Sequence, residues 1–364
     1  MLTNYKHLKE WLSDLKESTL AFLYKIQDQD FYHYSLTGDL FSSSIKWGLG
    51  NAVFAAKIYY MLGDIDTDRS NKIARFIKSF QNEQGYIHDP LVEQKSKLRR
   101  YVNAFRSKHF ANFFNEQTRR AETRQAYAAL ICLNHKPDIP FLRIPYKKNH
   151  ITRYIKKLNW NQPWGACSHI SHLLFFLKQN NVLFNIHQDS TDNLITYVID
   201  SVNNKFRQSD GSWYSSSSNM PHYEKVNAAM KMMTGFDAVN WYEFGKEKEL
   251  IDLCLMAINE GHACNHFNVI CVLYHCSKNT NYRKNDIHNY CIRQLEYFKE
   301  YYWTETGGFS FLKGHANRNY YGAILTKGLE EPDIHGTVLF LWGITLISKI
   351  LKMNEYVNLT KPVT

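Results

Sequence analysis

Six short clusters join polar side chains to the start of an apolar segment, and they hold the residues best suited to chemistry. They are GYIHDP (85–90), RRAETRQAY (119–127), PWGACSHISH (163–172), PHYEKVNAAMK (221–231), GHACNHFN (261–268) and EPDIHGT (331–337). His, Asp, Glu and Arg recur in these clusters, and these side chains transfer protons or bind anions. We therefore expect acid–base chemistry, anion binding or both.

The last cluster places Asp333 and His335 close to a predicted helix start. An Asp and a His there could act as acid and base, and a helix N-terminus favours an anion. Asp is also an ordinary residue at a helix start, so a capping role for Asp333 stays open. His169 and Glu122 complete the predicted acid–base set.

The predicted substrate-binding residues are two arginines and several aromatic and polar side chains. Arg120 and Arg124 fall on adjacent helical turns, which suits bidentate binding of a phosphate or carboxylate. Solvated charges on an outer helix are the alternative. The remaining candidates are two rings for stacking and four polar groups: Trp164, Trp213, Asp210, Lys225, Asn227 and Asn265. For Lys225 and Asn227, helix packing is the alternative.

A zinc ion is the one metal to consider, because thiolate and imidazole are its usual ligands. The side chains that could bind it are Cys264, His266 and His335. Neither a CxxC nor an HExxH spacing is present, and these ligands would come from separate hairpins. We therefore predict no metal and no cofactor, with zinc at these three residues as the alternative.

The elements that must position these residues are predicted to be helices. NKIARFIKSFQ puts Ile73, Phe76, Ile77 and Phe80 on one face. Similar periodicity recurs at about 47–62, 121–133, 168–179, 191–206, 225–235, 247–259, 265–277, 286–302 and 333–351. Alternating strand patterns are rare, so the chain is predicted to be all-α.

A glycine turn follows several of these helices. Its clearest copy is QSDGSW (208–213), and looser copies occur in SFQNEQGYIHDP, YYWTETGGFSF and NWNQPWGACSH. The marker glycines Gly85, Gly165, Gly211 and Gly308 are 80, 46 and 97 residues apart. These gaps are about one or two units of 40 to 49 residues, which predicts stacked helical hairpins. Each hairpin would end where glycine permits a positive φ.

This repeat resembles that of terpene cyclases and protein prenyltransferases, over roughly residues 45–350. The resemblance implies an α/α toroid of about six or seven helical hairpins around a central pocket, with Trp213 as a staple between hairpins. The Asp-rich DxDD motif of the cyclases is absent. The nearest string, GDIDTDRS, has Asp64, Asp66 and Asp68 at a different spacing, which argues against polyene cyclisation.

Composition indicates the kind of partner. The 364 residues are 15% aromatic and carry a net charge of +10, with a pI near 9.0. A basic balance favours an anionic partner. The basic pairs at 99–100, 119–120 and 147–148 are scattered rather than part of a known binding module, so we predict no nucleic acid partner.

We expect an N-terminal helical extension (1–45), a toroid domain (46–352) and a C-terminal tail (353–364). Seven cysteines without a CxxC pair indicate a reducing compartment, and the N-terminus lacks the apolar core of a signal peptide. The apolar run 337–351 is too short to span a bilayer, so it predicts a core helix. The expected location is the cytoplasm; a peripheral membrane contact and the oligomeric state stay open.

The mixture of aromatic rings with amides, His, Arg and carboxylates suits a sugar, because rings stack on its apolar face while polar groups bind its hydroxyls. The first hypothesis is an epimerase, lyase or hydrolase acting on an anionic or phosphate-linked sugar, as in surface polysaccharide biosynthesis. The alternatives are a terpenoid cyclase or prenyltransferase-like enzyme acting on a prenyl pyrophosphate, and a non-enzymatic helical-repeat binding protein.

Overall fold

The computed structural model describes residues 6–107, 115–217, 219–257, 261–353 and 355–364. Within these ranges the protein is all-α, as predicted. Its helices are α1 (Lys6–Ile26), α2 (Leu49–Leu62), α3 (Thr67–Lys78), α4 (Pro90–Ser107), α5 (Glu116–Cys132), α6 (Lys148–Lys157), α7 (Pro163–Phe184), α8 (Thr191–Phe206), α9 (His222–Ala238), α10 (Glu247–Met256), α11 (Ala263–Ser277), α12 (Lys284–Lys299) and α13 (Ile334–Leu351).

The strands of the described chain are two residues long and pair as three antiparallel hairpins. These are β1 (Gln27–Asp28) with β2 (Phe31–Tyr32), β3 (Tyr302–Trp303) with β4 (Gly308–Phe309), and β5 (Asn319–Tyr320) with β6 (Ala323–Ile324). Each hairpin therefore shapes a connection between helices and does not build a larger sheet.

Helices buried on nearly all sides alternate along the chain with helices buried on one side. Almost every residue of α2 is buried, and α5, α7, α9 and α13 are similar. By contrast, α6 buries only Ile151 and Ile155, while α3, α8 and α10 bury a single stripe. This difference follows from the sequence, because an amphipathic helix can bury only its apolar face.

The chain divides into two compact units. The first contains Met1–Asp138, Gly261–Ala263 and Ile292–Val363, and the second contains Ile139–Glu260, Cys264–Cys291 and Thr364. In the first unit, α2 packs against both α5 and α13; in the second, α7 packs closely along α9. The predicted division into an N-terminal extension (1–45), a toroid domain (46–352) and a C-terminal tail (353–364) stays a prediction.

Two of the four marker glycines have the backbone that the turn requires. Gly85 and Gly211 have φ values of 82° and 84°, a region that side chains other than glycine rarely adopt. In the third turn the predicted marker Gly308 lies on β4, and the preceding Gly307 has the positive φ, at 83°. The prediction of a turn at Gly165 is wrong, because this residue lies in the first helical turn of α7. Pro163 begins that helix, and its fixed φ suits a helix start better than a connection.

The structure contains an internal repeat that joins two of these turns to buried helices. Thr123 of α5 accepts a hydrogen bond from Ile87 N at 3.1 Å, while its own hydroxyl donates within the helix to Arg119 O at 2.7 Å. In the same way, Thr337 of α13 accepts from Phe309 N at 3.0 Å and donates to Asp333 O at 2.8 Å. A glycine-turn hairpin is thus held to a helix by one threonine in both places.

The apolar run near the C-terminus belongs to α13. This described helix is long and apolar enough to cross a membrane by length and composition alone, but 72% of it is buried inside the protein. It is therefore the core helix that the sequence predicts. All seven cysteines are unpaired, and six of them are buried.

Candidate functional site

Asp333 caps the start of α13 and is fully buried in the first unit. Its Oδ1 accepts from Gly336 N at 2.7 Å, and its Oδ2 accepts from Phe311 N and Asn317 N at 2.8 and 3.0 Å. Burial raises its pKa to about 7, and these N–H donors oppose the rise. These contacts are those of a helix N-cap, which is the alternative role that the sequence analysis left open for Asp333.

His335 lies in the first turn of α13, between two aromatic rings. The Phe54 ring stacks on it at 4.8 Å with an interplanar angle of 7°, and the Phe311 centroid lies 4.7 Å away. Burial lowers the pKa of His335 to about 3, and the nearby His262 adds to the lowering. The imidazole is therefore neutral at physiological pH.

A hydrogen-bond chain orients this neutral imidazole. Asn317 Nδ2 donates to Asn319 O at 2.7 Å and to Tyr34 Oη at 3.0 Å. Tyr34 Oη lies 3.0 Å from His335 Nδ1. Because the Tyr34 oxygen accepts from the amide, its proton is available for Nδ1, which leaves the ring proton on Nε2. Nε2 has no hydrogen-bond partner among the described residues.

Glu122 of α5 is a buried carboxyl group with one unused oxygen. Its side chain is 3% exposed, and its Oε2 accepts from Asp89 N at 3.3 Å. Its Oε1 has no hydrogen-bond partner within the described ranges. Burial raises the pKa of Glu122 well above its ordinary value, and the charge of Asp89 adds to the rise.

Asp89 ties together the starts of two helices beside this carboxyl group. Its Oδ2 accepts from Gly48 N and Leu49 N at the start of α2, at 2.8 and 3.1 Å. Its Oδ1 accepts from Leu91 N and Val92 N at the start of α4, at 2.9 and 3.3 Å. Burial raises the pKa of Asp89, and these four backbone donors oppose the rise.

Tyr320, on β5, contacts the His335 ring and is close enough to Glu122 to be influenced by its charge. Its ring lies edge-on to His335, with centroids 5.9 Å apart. Burial raises the pKa of Tyr320 well above its ordinary value, and the charges of Tyr321 and Glu122 add to the rise. A Cβ at Gly50 of α2 would lie 3.0 Å from the Tyr320 hydroxyl, so glycine leaves room for this side chain.

Arg120 and Arg124 lie on the same helix as Glu122, and both are buried. The alternative of solvated charges on an outer helix is therefore wrong. α5 has apolar residues and small alanines around these arginines, so the helix is enclosed even though its sequence is strongly charged.

The second unit contains the remaining predicted acid–base residue, His169. It also contains the two predicted stacking rings, Trp164 and Trp213. His169 Nδ1 lies 3.1 Å from Tyr154 Oη. Trp164 is 48% exposed, with Lys231 Nζ 5.1 Å from its ring centroid. Trp213 is fully buried and donates to Asn203 Oδ1 at 2.9 Å.

The polar candidates of the second unit are engaged with protein groups. Lys225 Nζ lies 3.0 Å from Asp210 Oδ2, which also accepts from Tyr214 Oη at 2.7 Å. Asn227 Oδ1 accepts from Asn268 Nδ2 at 2.6 Å. A further candidate, half-buried on α11, is Asn265.

The zinc alternative gains no support from the geometry. Within the described chain, no group of three or more His, Cys, Asp or Glu side chains is arranged to hold a metal ion. Burial raises the pKa of the Cys264 thiol to about 11, against an opposing effect of Lys231, so this thiol stays protonated. His266 is buried on the same helix.

Sequence reasoning missed most of the groups that surround His335. Tyr34, Asn317 and Tyr320 lie in connections without helical periodicity, and Phe54 reads as an ordinary core residue of α2. The string NRNYYGA, with an Asn and two tyrosines before a glycine, was the one local signal for β5 and β6.

No protein-family model, no curated protein and no solved structure matches this chain. The first unit of this all-α protein contains a buried carboxyl group with a raised pKa, a neutral imidazole and, near both, the phenol of Tyr320.

Proposed function

We propose that this protein is a glycan-active enzyme that uses acid–base chemistry, as an epimerase, lyase or hydrolase does. The observation that carries the proposal is the Glu122 carboxyl group, which is buried, has an oxygen without a partner and has a raised pKa. A carboxyl group with these properties, in one cluster with a neutral imidazole, is typical of proton-transfer sites.

In the proposed reaction Glu122 carries the proton. A carboxyl group whose pKa is raised toward the working pH is an effective acid or base. The Nε2–H group of His335 would donate a hydrogen bond to the substrate oxygen on which negative charge develops, and it can do so without being charged. The Tyr320 hydroxyl would be a second donor near the same oxygen.

The surroundings of the cluster support a sugar as substrate. The rings of Phe54, Phe311 and Tyr320 surround His335, and aromatic rings on which a pyranose can stack are common in sugar-binding sites. The buried Arg120 and Arg124 and the net charge of +10 favour a substrate with a carboxylate or phosphate. We therefore propose an anionic or phosphate-linked sugar.

We also propose that the helices form an α/α toroid and that the protein is cytoplasmic. The alternation of fully and partly buried helices supports an α/α toroid, and the seven unpaired cysteines support the cytoplasm. A second candidate is an enzyme acting on a prenyl pyrophosphate, which the same buried arginines and aromatic rings favour.

Thermal shift measurements with uronates, nucleotide sugars and prenyl pyrophosphates separate these candidates. We expect an anionic sugar to raise the melting temperature of both the wild type and Glu122→Gln, since the variant keeps the shape of the site. The matched control is His150→Gln, which changes an exposed histidine. Stabilisation by prenyl pyrophosphates alone would favour the second candidate and overturn the first.

A further inference from the structure

Beyond its first turn, helix α4 has its large apolar residues outward. Leu91 and Val92 at its start are buried, but farther along the buried positions include the small residues Ser96 and Ala104. Leu98, Val102 and Phe105 are 75%, 39% and 65% exposed. A helix of a globular protein ordinarily buries its large apolar residues, so this orientation is the reverse of the usual one.

The exposed residues form one continuous stripe. Positions 98, 102 and 105 are spaced by four and three residues, which places them on the same face of a helix. The opposite face packs on the hairpin of β5 and β6. There a Cβ at Gly322 would lie 3.7 Å from Ser96 Cβ, so Ser96 faces this hairpin.

Four exposed cations flank the stripe. With about 100° of rotation per residue, Lys95, Arg99 and Arg106 lie along one edge of the stripe and Lys97 lies along the other. None of the four forms an ion pair with a described residue. Lys95 and Lys97 lie near the rings of Phe41 and Tyr101, as exposed cations often do.

We propose that this face of α4 docks on the surface of an anionic phospholipid membrane. The stripe of Leu98, Val102 and Phe105 would enter the boundary between headgroups and acyl chains, while the four cations would meet lipid phosphates. Apolar residues bordered by Lys and Arg are the combination that binds such surfaces. A second copy of the chain is a poorer occupant, because two basic faces repel each other.

The docking does not depend on the proposed reaction. α4 begins directly after Asp89, whose N–H group binds Glu122, and its buried face packs on the hairpin that carries Tyr320. The docking helix and the candidate site are thus parts of one compact unit, and a membrane-bound protein would hold the site near the lipid surface.

Flotation of the full chain with vesicles tests the docking. We expect binding to phosphatidylcholine vesicles that contain about 30% phosphatidylglycerol, and little binding to phosphatidylcholine alone. Leu98→Ser with Phe105→Ser should lower the partition coefficient about tenfold or more. Lys97→Gln and Arg99→Gln should each lower it about fivefold, and about 0.5 M salt should weaken it further.

The matched control is Leu142→Ser with Val182→Ser, which removes two comparably exposed apolar side chains from the second unit. It should bind vesicles as the wild type does, and all variants should melt at unchanged temperatures. Equal binding by both double variants, or no binding to anionic vesicles, would overturn the docking. Self-association in sedimentation that Leu98→Ser with Phe105→Ser abolishes would instead assign the face to a second copy.

Discussion

Two ionisable side chains of the first unit are driven by burial toward their neutral forms. Burial lowers the pKa of His335 to about 3 and raises the pKa of Glu122 well above its ordinary value. Such a pair separates the roles in a reaction, since the carboxyl group can exchange a proton while the imidazole donates a hydrogen bond. A structural core has no need of either group.

Glu122→Gln should change the pH dependence of stability. The folded-state pKa of Glu122 is raised, so the folded protein binds this proton more tightly than the unfolded chain does. Its contribution to the free energy of unfolding is therefore present at acid pH and is lost as the pH rises through the folded-state pKa. Relative to the wild type, Glu122→Gln should gain about 1–3 kcal/mol between pH 4 and pH 8.

Urea unfolding of both proteins across this pH range measures the difference. Glu116→Gln is a suitable control, because this carboxylate on the same helix accepts from Tyr86 Oη and is less enclosed. A difference between wild type and Glu122→Gln that does not vary with pH would show that Glu122 is ionised in the folded protein. The proton-transfer role would then lose its basis.

At the scale of the element, Asp333 is predicted to stabilise the start of α13. Asp333→Ala would leave three buried N–H groups without an acceptor, which should cost about 3 kcal/mol or more. Asp66→Ala is the matched change, because Asp66 caps α3 with a single bond to Arg69 N at an exposed position. Thermal unfolding should show a clearly smaller loss of stability for Asp66→Ala than for Asp333→Ala. Equal losses would contradict the role of Asp333 as the acceptor for three buried N–H groups.

The glycine turn at 208–213 gives a second prediction at this scale. An alanine at Gly211 would adopt a φ of 84°, and its Cβ would lie 2.8 Å from Leu250 Cγ. We expect Gly211→Ala to cost about 2 kcal/mol or more in the free energy of unfolding. Gly245→Ala has a φ of 66° but open space around the Cβ, so it should cost only about 1 kcal/mol. Urea unfolding that ranks the two in the opposite order would contradict the packing of this turn.

Periodicity predicted most helices, because a buried stripe leaves a regular pattern. It missed α4, where Leu98, Val102 and Phe105 face water and the buried positions beyond the first turn include the small Ser96 and Ala104. It also missed α6, a short and basic helix in which only Ile151 and Ile155 are buried. Apolar spacing fails to identify a helix that is short or whose large apolar residues face outward.

At the scale of the whole molecule, the candidate site could be predicted only in part. The sequence indicated Glu122 and His335, because each lies in a short cluster that joins polar side chains to an apolar segment. It could not indicate that Tyr34, Asn317 and Tyr320 would join them, since these residues come from distant connections without a pattern of their own. The partners of a buried polar group are set by tertiary packing, which the spacing in one chain does not encode.

The central claim is that Glu122 and His335 carry out proton transfer on an anionic sugar. Proton NMR of uronate-containing oligosaccharides and nucleotide sugars incubated with the full chain in D₂O tests it most directly, because deuterium incorporation, elimination and hydrolysis are all visible. We predict conversion of at least one sugar by the wild type and by His150→Gln, with rates lower by about 10²-fold or more in Glu122→Gln and His335→Gln. Conversion at the wild-type rate by Glu122→Gln, or no change in any sugar, would contradict the claim.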